Sequence, residues 1–329
     1  MPESEKETMS KKLSMSAVAA VALAAAAASA LSPAPASAVS APLSSARIAA
    51  HFDLAGGQTP ENLALASGGR AYVTFAKGRQ VAEVSPRGTV RILATLPEPA
   101  DGGVHTPAMG FPLTTGIARA HDGTLYFLYA TGTGDLTGVW RMRPGGRPER
   151  IAPLPADGLP NGLALDARTH TLYAADSVLG TIWTVPTTGG TPTAWSTGSE
   201  LAPAGFLGAN GLKIHNGAVW ATNPDQGTIV RIPVLRDGRA GTIQTRAGGM
   251  PGIDDFAFTG HGDRLLAALD GPNEVALVQP DGSHSTVLTS VDGLQNPTSI
   301  ALRGDTVYVL NAAWNTAEDP NLILAHLAR

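Results

Sequence analysis

Short runs of alternating apolar and polar residues, separated by Gly-rich turns, recur along most of the chain. Alternation with a period of two residues is typical of half-buried β-strands. The clearest group predicts four consecutive strands, at Gly162–Asp166, Thr171–Ala175, Thr181–Val185 and Pro192–Ser196. Helical periodicity is absent after residue 38, so the sequence predicts an all-β protein.

A five-residue phrase, in which one residue opens an apolar strand, occurs six times. The copies begin at Glu61, Thr115, Asn161, Asn210, Asp254 and Thr298, and subtraction of these numbers gives intervals of 44 to 54 residues. Strand repeats of about 40 to 50 residues indicate a β-propeller with one blade per repeat. The number of copies therefore predicts six blades.

The last repeat contains only three predicted strands, whereas Arg47–Phe52 forms an additional predicted strand ahead of the first repeat. Pairing this strand with the last blade closes the ring and removes an exposed sheet edge. The sequence therefore predicts an all-β, six-bladed β-propeller whose ring is closed by an N-terminal strand joining the last blade.

The first 38 residues have the pattern of a secretory signal peptide. Lys11 and Lys12 precede an apolar run over residues 15–30, and Ala36-Ser37-Ala38 matches a cleavage site. We expect a signal peptide over residues 1–38, a small-residue linker over 39–46 and the propeller over 47–329. The mature protein is then secreted or extracytoplasmic, as a bacterial export product; a retained membrane anchor is the alternative.

The charge and the distribution of apolar residues limit the classes of binding partner that we expect. The 329 residues carry a formal net charge of −4, and charged residues make up 15% of them. No basic stripe is present to neutralise phosphates, so no nucleic acid partner is expected. No long apolar segment follows the signal, so no membrane partner is expected after cleavage. The expected partner is a small-molecule substrate, and the sequence leaves the oligomeric state undefined.

Four of the six repeat positions carry a side-chain oxygen ligand: Glu61, Asn161, Asn210 and Asp254. Equivalent positions on different blades lie on a ring around the propeller axis, so we expect these four side chains to converge at one end of the channel. An all-oxygen set suits Ca²⁺, with Mg²⁺, Mn²⁺ and Zn²⁺ left open, and the lack of cysteine excludes thiolate ligands. The alternative is that the two Asn-Gly pairs only form turns.

Two connections are longer than the others and enter at the same end as the repeat position. They cover residues 97–113 and 198–209 and carry Met109, Phe111, Phe206 and Leu207. Loops of this length in a compact propeller frequently form pocket walls. We therefore expect an apolar lining for a small organic ligand, with simple covering of the propeller face as the alternative.

The mature chain resembles the SMP-30/gluconolactonase family of six-bladed propellers, with the paraoxonases as more distant relatives. The resemblance is carried by Pro60-Glu61, Pro160-Asn161-Gly162-Leu163, Asn210-Gly211-Leu212, the segment 223–229, and Asp254 before Phe256. It implies that Glu61, Asn210 and Asp254 hold a divalent metal, and that Asn161 contacts the substrate or serves as a fourth ligand. It also implies that Asp254 acts as the general base, with neighbouring Asp255 as a second candidate.

The chain departs from the paraoxonase pattern at the start of the second blade. Thr115 occupies the position where paraoxonases carry a catalytic histidine. His105, in the long loop before it, is a candidate substrate contact together with Thr115, Asn161 and Phe206. A solvated loop histidine is the alternative interpretation of His105.

The activity implied by the resemblance is hydrolysis of a lactone or related ester, with the metal polarising the carbonyl and an aspartate activating water. The alternative is a non-catalytic exported propeller that binds a ligand or protein partner and holds a structural Ca²⁺. A quinone-dependent dehydrogenase is disfavoured, because the sequence shows no cluster of His and cationic residues for such a cofactor. The sequence does not define the physiological substrate.

Overall fold

The computed structural model describes residues 42–328, which form six four-stranded antiparallel sheets. The predicted signal peptide lies outside the described residues. Within the described range, the only helical turns are two three-residue 3₁₀ segments, Ser67–Gly69 and Ser290–Asp292. No helix among these residues has the length and hydropathy needed to span a membrane. The all-β prediction is confirmed.

Each sheet is one blade, and five of the six blades are built from strands consecutive in sequence. Strand β1 is Leu43–His51; blade 1 has β2 (Pro60–Leu65), β3 (Ala71–Phe75), β4 (Gln80–Val84) and β5 (Val90–Thr95); blade 2 has β6 (Leu113–Arg119), β7 (Leu125–Ala130), β8 (Gly138–Met142) and β9 (Glu149–Pro153); blade 3 has β10 (Pro160–Asp166), β11 (Thr171–Asp176), β12 (Thr181–Pro186) and β13 (Thr193–Thr197). Blade 4 has β14 (Leu212–His215), β15 (Ala218–Asn223), β16 (Thr228–Pro233) and β17 (Gln244–Ala247); blade 5 has β18 (Ile253–Phe258), β19 (Leu265–Leu269), β20 (Glu274–Val278) and β21 (His284–Leu288); blade 6 has β22 (Pro297–Arg303), β23 (Thr306–Asn311) and β24 (Asn321–Leu327).

The ring closes as predicted, because β1 completes blade 6 in the order β1-β24-β23-β22. The strand begins at Leu43, earlier than the predicted Arg47, so the predicted linker over residues 39–46 overlaps it. Leu43 pairs with Leu327 and is buried in the core between blades 5 and 6. The sequence did not indicate a strand over residues 43–46, because most of these side chains are small. In addition, a register irregularity between Ser44 and Arg47 interrupts the apolar–polar alternation that is typical of a strand.

Every pair of adjacent blades shares one apolar core, so the blades are buried on both faces. Phe127 and Ile117 of blade 2, for example, pack with Val81 of blade 1. Burial of apolar area at about 25 cal/mol per Å² is the main favourable term for such a fold. Each blade is therefore stabilised by packing against both of its neighbours, and the apolar core is divided among the six interfaces between blades.

The first strand of each blade is the inner one, and its start is irregular. In five blades a β-bulge interrupts the register at the repeat position, for instance between Pro160 and Leu163 and between Ile253 and Phe256. A bulge removes one residue from the ladder and redirects its side chain. Five repeat positions are thereby released from regular pairing, and the sixth, Asn210, precedes β14. All six lie at one end of the channel, which we call the upper end.

Hydroxyl groups join neighbouring blades at this end. Thr115 Oγ1 donates to Pro160 O at 2.8 Å, and Thr298 Oγ1 donates to Pro60 O at 3.0 Å. Both threonines occupy repeat positions, so the two repeat positions without a carboxylate or amide stabilise the ring. The backbones approach closely: a Cβ on Gly162 would lie only 2.0 Å from Asn210 O, which explains the glycine.

A partly buried ion pair joins the adjacent blades 4 and 5. The fourth residue of the repeat is alanine in five copies (Ala64, Ala118, Ala164, Ala257 and Ala301) and lysine in the remaining copy. The Nζ of this Lys213 lies 2.5 Å from Asp255 Oδ1. Asp255 is fully buried, and its Oδ2 accepts hydrogen bonds from Ser299 at 2.6 Å and Asn62 at 3.4 Å. One long side chain therefore fills the space that the alanines leave.

Candidate functional site

A cavity of about 270 Å³ opens at the upper end of the channel. We call it the upper cavity. Its walls come from the starts of the inner strands and from three loops. The lining residues are Glu61, Met109, Leu113, Thr115, Leu159, Asn161, Phe206, Leu207, Asn210, Asp254, Asp270, Trp314 and Asn315. The structure therefore brings together the four oxygen ligands that the repeat singled out, although they lie on four different blades.

The predicted ligands are buried side chains that line the upper cavity. Glu61 is buried, and its Oε2 has no hydrogen-bond partner. Asn161 and Asn210 are also buried and line the same cavity. Buried polar groups are normally hydrogen-bonded, so the unpartnered Glu61 oxygen beside these amides indicates a ligand that completes it. A divalent cation with bound water fits this donor set.

Asp270 is a further carboxylate in the upper cavity, which the repeat analysis missed. It follows β19, and its backbone N–H donates to Gly252 O at 2.9 Å. Its Oδ1 is buried and has no hydrogen-bond partner. The sequence could have indicated Asp270, because in an antiparallel pair the end of a blade's second strand lies beside the start of its first strand. No other blade repeats this aspartate, so the periodic pattern did not expose it.

The upper cavity concentrates negative charge. Three carboxylates line it, and its lining contains no lysine, arginine or histidine. Burial raises the pKa of Glu61 to about 8, with smaller contributions in the same direction from Asp270 and Asp255 and an opposing one from Trp314. Burial, and then the charge of Glu61, also raises the pKa of Asp254 well above its usual value. Burial alone raises the pKa of Asp270 to about 6.

These pKa shifts arise mainly from burial, and repulsion between neighbouring carboxylates adds to those of Glu61 and Asp254. A bound cation favours the ionised form of each carboxylate and removes the conflict. Within residues 42–328, no group of three or more His, Cys, Asp or Glu side chains is arranged to hold a metal ion by itself. A cation in the upper cavity therefore needs the amide oxygens of Asn161 or Asn210 in addition to carboxylates.

The same shifts predict how stability depends on pH. Because the folded pKa of Glu61 is about 8, above its ordinary 4.5, the folded chain retains a proton that the unfolded chain loses. Without metal, the contribution of Glu61 to stability is fully present below about pH 4.5 and is lost as the pH rises to about 8. Added Ca²⁺ should therefore raise the melting temperature more at about pH 8 than at about pH 5. Thermal unfolding in EDTA and in Ca²⁺ measures this difference, and Glu61→Gln should reduce it; an equal Ca²⁺ effect at both pH values would contradict the assignment.

The long loops supply the apolar walls. Met109, Phe206 and Leu207 line the upper cavity as predicted, and Phe206 is 55% exposed at its edge. Phe111 does not line it, but its ring lies 6.2 Å from that of Trp314. Trp314 comes from the loop before β24, which the sequence did not single out. All of these loop residues except Phe206 pack with Leu113 and Leu159 in one apolar cluster, so most of the wall is part of the folded body.

Two predicted site residues lie outside the upper cavity. His105 is exposed and its Nδ1 lies 2.8 Å from Asp101 Oδ2, while its backbone packs against Gly132. Asp255 is committed to Lys213, with Nζ 2.5 Å from its Oδ1. Neither residue lines the cavity. Thr115 does line it, although its hydroxyl proton is used on Pro160.

Fold and cavity together define a six-bladed β-propeller with an acid-and-amide pocket at one end of its channel. Solved structures with this fold include a putative gluconolactonase, which is 16% identical with a TM-score of 0.60 over 85% of this chain and 91% of that chain. The calcium-binding protein regucalcin from Agrobacterium tumefaciens is 15% identical, with a TM-score of 0.61 over 86% and 96%. The fold-level resemblance to the gluconolactonase and regucalcin propellers is thus confirmed.

Another similar structure is virginiamycin B lyase from Staphylococcus aureus, crystallised with quinupristin as a catalytically inactive histidine-to-alanine variant. It is 18% identical, with a TM-score of 0.59 over 83% of this chain and 82% of that chain. A scan against protein-family models and a search of curated proteins gave no match. At these identities the likeness establishes the fold and leaves the chemistry to the site itself.

Proposed function

We propose that this chain is an exported, divalent-metal-dependent hydrolase that acts on a lactone or a related ester. The observation that carries the proposal is the upper cavity, where three carboxylates and two amides meet with no cationic side chain in the lining. Such a set is suited to Ca²⁺, which accepts carboxylate, amide and water oxygens in flexible geometry. The gluconolactonase and regucalcin neighbours support the same class of site.

Glu61, Asn210 and Asp254 would hold the metal, with Asn161 as a fourth ligand or a substrate contact. When bound, a divalent cation polarises a carbonyl and stabilises negative charge on its oxygen. The protein's own residues have separate tasks. Asp254, ionised in the presence of the cation, accepts a proton from the attacking water, because its carboxylate lines the same cavity. Asn161 donates its amide N–H groups to substrate oxygens and fixes their orientation.

The cavity walls suit a compact organic substrate. Met109, Leu207 and Trp314 provide apolar surface around the polar floor and exclude water from the reacting group. Lys77 lies 4.9 Å from the Trp314 ring and places a positive charge near the loops, outside the lining itself. This arrangement favours a neutral or weakly polar ring such as a lactone over a substrate that already carries a strong positive charge.

Virginiamycin B lyase suggests a different chemistry, because a histidine-to-alanine variant of that enzyme is catalytically inactive. In the described part of this chain, no histidine lines the upper cavity, and His105 lies outside it. The site therefore supports hydrolysis with a carboxylate base better than a histidine-dependent elimination. Quinupristin added to the purified protein should accordingly remain intact under conditions in which a lactone is opened.

The direct test is the activity of the purified protein on a panel of aldonolactones and aliphatic lactones. It should be measured in EDTA, and again after addition of Ca²⁺, Mn²⁺ or Zn²⁺. Turnover that EDTA abolishes and one metal restores supports the proposal and identifies the ion. Failure to turn over any lactone, together with a metal-dependent increase in melting temperature, would favour a non-catalytic propeller that binds its ligand in the same cavity.

A further inference from the structure

A second cavity, of about 490 Å³, lies between blades 1 and 2 at the lower end of the molecule. Strand β6 shows its position, because its first residue, Leu113, lines the upper cavity and its last residue, Arg119, lines this one. Four arginines, Arg70, Arg91, Arg119 and Arg143, are part of its wall, and we call it the arginine groove. It is distinct from the candidate hydrolase site.

The groove carries an excess of positive charge in a chain whose formal net charge is −4. Its lining has four guanidinium groups against two carboxylates, those of Glu83 and Asp122. Glu83 is shared between Arg70 and Arg91, at 3.4 Å from each. This distance is long for a charge-assisted hydrogen bond, which is typically about 2.7 to 2.9 Å. The local carboxylates therefore do not saturate the arginines.

Arg119 is the residue that points most directly to a ligand. Its Nε is buried and has no hydrogen-bond partner, and no carboxylate of residues 42–328 lies within ion-pair distance of its guanidinium. The guanidinium lies 6.0 Å from the Tyr72 ring, within range of a cation–π contact that holds it in place. Asp122, whose charge interacts with Arg119, is already hydrogen-bonded to Thr124 N and Oγ1. A fixed and unsatisfied donor of this kind suits an incoming oxyanion.

The rest of the lining is apolar. Tyr72, Leu93 and Met142 contribute to it, and Ile92 beside them is 38% exposed, one of the few large apolar side chains at the surface of the described chain. Arginines around an apolar floor suit a molecule with an anionic group on a hydrophobic body. An inorganic anion alone would leave the apolar surface uncovered.

We propose that the arginine groove binds an organic oxyanion with two negative charges on a small apolar body. Phosphate monoesters and dicarboxylates share this chemistry, because guanidinium groups bind both in bidentate geometry. Four guanidinium groups line the groove against two carboxylates, and Glu149 outside the lining lies 3.9 Å from Arg143, which is too far for a hydrogen bond, so donors remain for a dianion. The apolar floor distinguishes the organic anion from free phosphate, and the proposal does not depend on the hydrolase assignment.

Isothermal titration calorimetry of the purified full chain tests the proposal with phenyl phosphate, phthalate and inorganic phosphate. Phenyl phosphate or phthalate should bind with one molecule per chain, and more tightly than inorganic phosphate. Arg119→Met should weaken binding by about tenfold or more, since a charge-assisted hydrogen bond is lost. Arg91→Met, whose side chain is 66% exposed, should weaken it as well and is a second test if Arg119→Met does not fold.

Arg239→Met is the matched control, because this arginine is exposed, pairs with Asp237 at 2.6 Å and lies on blade 4. It should bind the organic anions as the unmodified protein does. The proposal is overturned if neither organic anion binds with a defined stoichiometry. It is also overturned if Arg119→Met and Arg91→Met bind normally, or if the control weakens binding to the same extent. The two organic anions, compared with each other, identify which oxyanion group is preferred.

Discussion

Replacing Asp254 with asparagine should reduce lactone hydrolysis by about 10²- to 10⁴-fold, the contribution typical of a positioned general base. Replacing Glu61 with glutamine should reduce it only through the metal, with a Ca²⁺ affinity lower by about 10- to 100-fold or more, because one carboxylate ligand is lost. Asp254→Asn also removes a proposed ligand, but its hydrolysis rate should remain low even at saturating Ca²⁺. Both side chains line the upper cavity, and both substitutions preserve the shape of the residue. Hydrolysis rates at several Ca²⁺ concentrations, together with Ca²⁺ titrations, separate the two effects.

Asp281→Asn is the matched control for these variants. Asp281 is an exposed aspartate in a turn of blade 5, where it hydrogen-bonds to Ser283. Its replacement should leave both hydrolysis and Ca²⁺ binding unchanged. If Glu61→Gln and Asp254→Asn bind Ca²⁺ weakly and lose thermal stability while hydrolysis continues at the original rate, the cation is structural and the catalytic assignment fails.

Replacing Lys213 with methionine should lower the free energy of unfolding by about 3 to 5 kcal/mol, the usual cost of leaving a buried charge without its partner. Asp255 is fully buried, and Lys213 supplies its only cationic contact among residues 42–328. The double variant Lys213→Met/Asp255→Asn should recover much of the loss, because no buried charge remains. Denaturant unfolding of the two single variants and the double variant measures the coupling.

Arg236→Met provides the comparison for this stability series. Arg236 is exposed, and substitutions at such positions usually change stability by less than about 0.5 kcal/mol. A double variant no more stable than Lys213→Met alone would show that the lysine acts by filling the channel among the alanines. The ion pair would then have little energetic role of its own.

The features that repeat in the sequence were the ones that could be predicted from it. Six copies of one phrase defined the number of blades, and symmetry placed Glu61 and Asp254 in one cavity although 193 residues separate them. Features that occur once had no such support. Asp270 follows β19 in a single blade, and Trp314 lies on a loop whose path depends on tertiary packing.

The position of Asp255 shows a different limit. The sequence presents Asp254 and Asp255 as equivalent neighbours, but in the structure Asp254 lines the upper cavity whereas Asp255 pairs with Lys213. Lys213 decides the outcome, because it is the one residue large enough to reach Asp255 from a position that is alanine in the other repeats. Prediction of the Lys213–Asp255 ion pair from the sequence would have required comparison of the fourth residue of the five-residue phrase across all blades, in addition to the first residue.

The closure of blade 6 also makes the starting point of the chain arbitrary. Ala328 N donates to Pro42 O at 2.9 Å, so the two ends of the described chain meet. A short linker between these ends, with new termini in the turn at residues 155–157, would place a different blade first and make every blade continuous in sequence. Circularly permuted forms of this propeller are therefore compatible with its contacts, and the present order of blades is one of several that the ring accommodates.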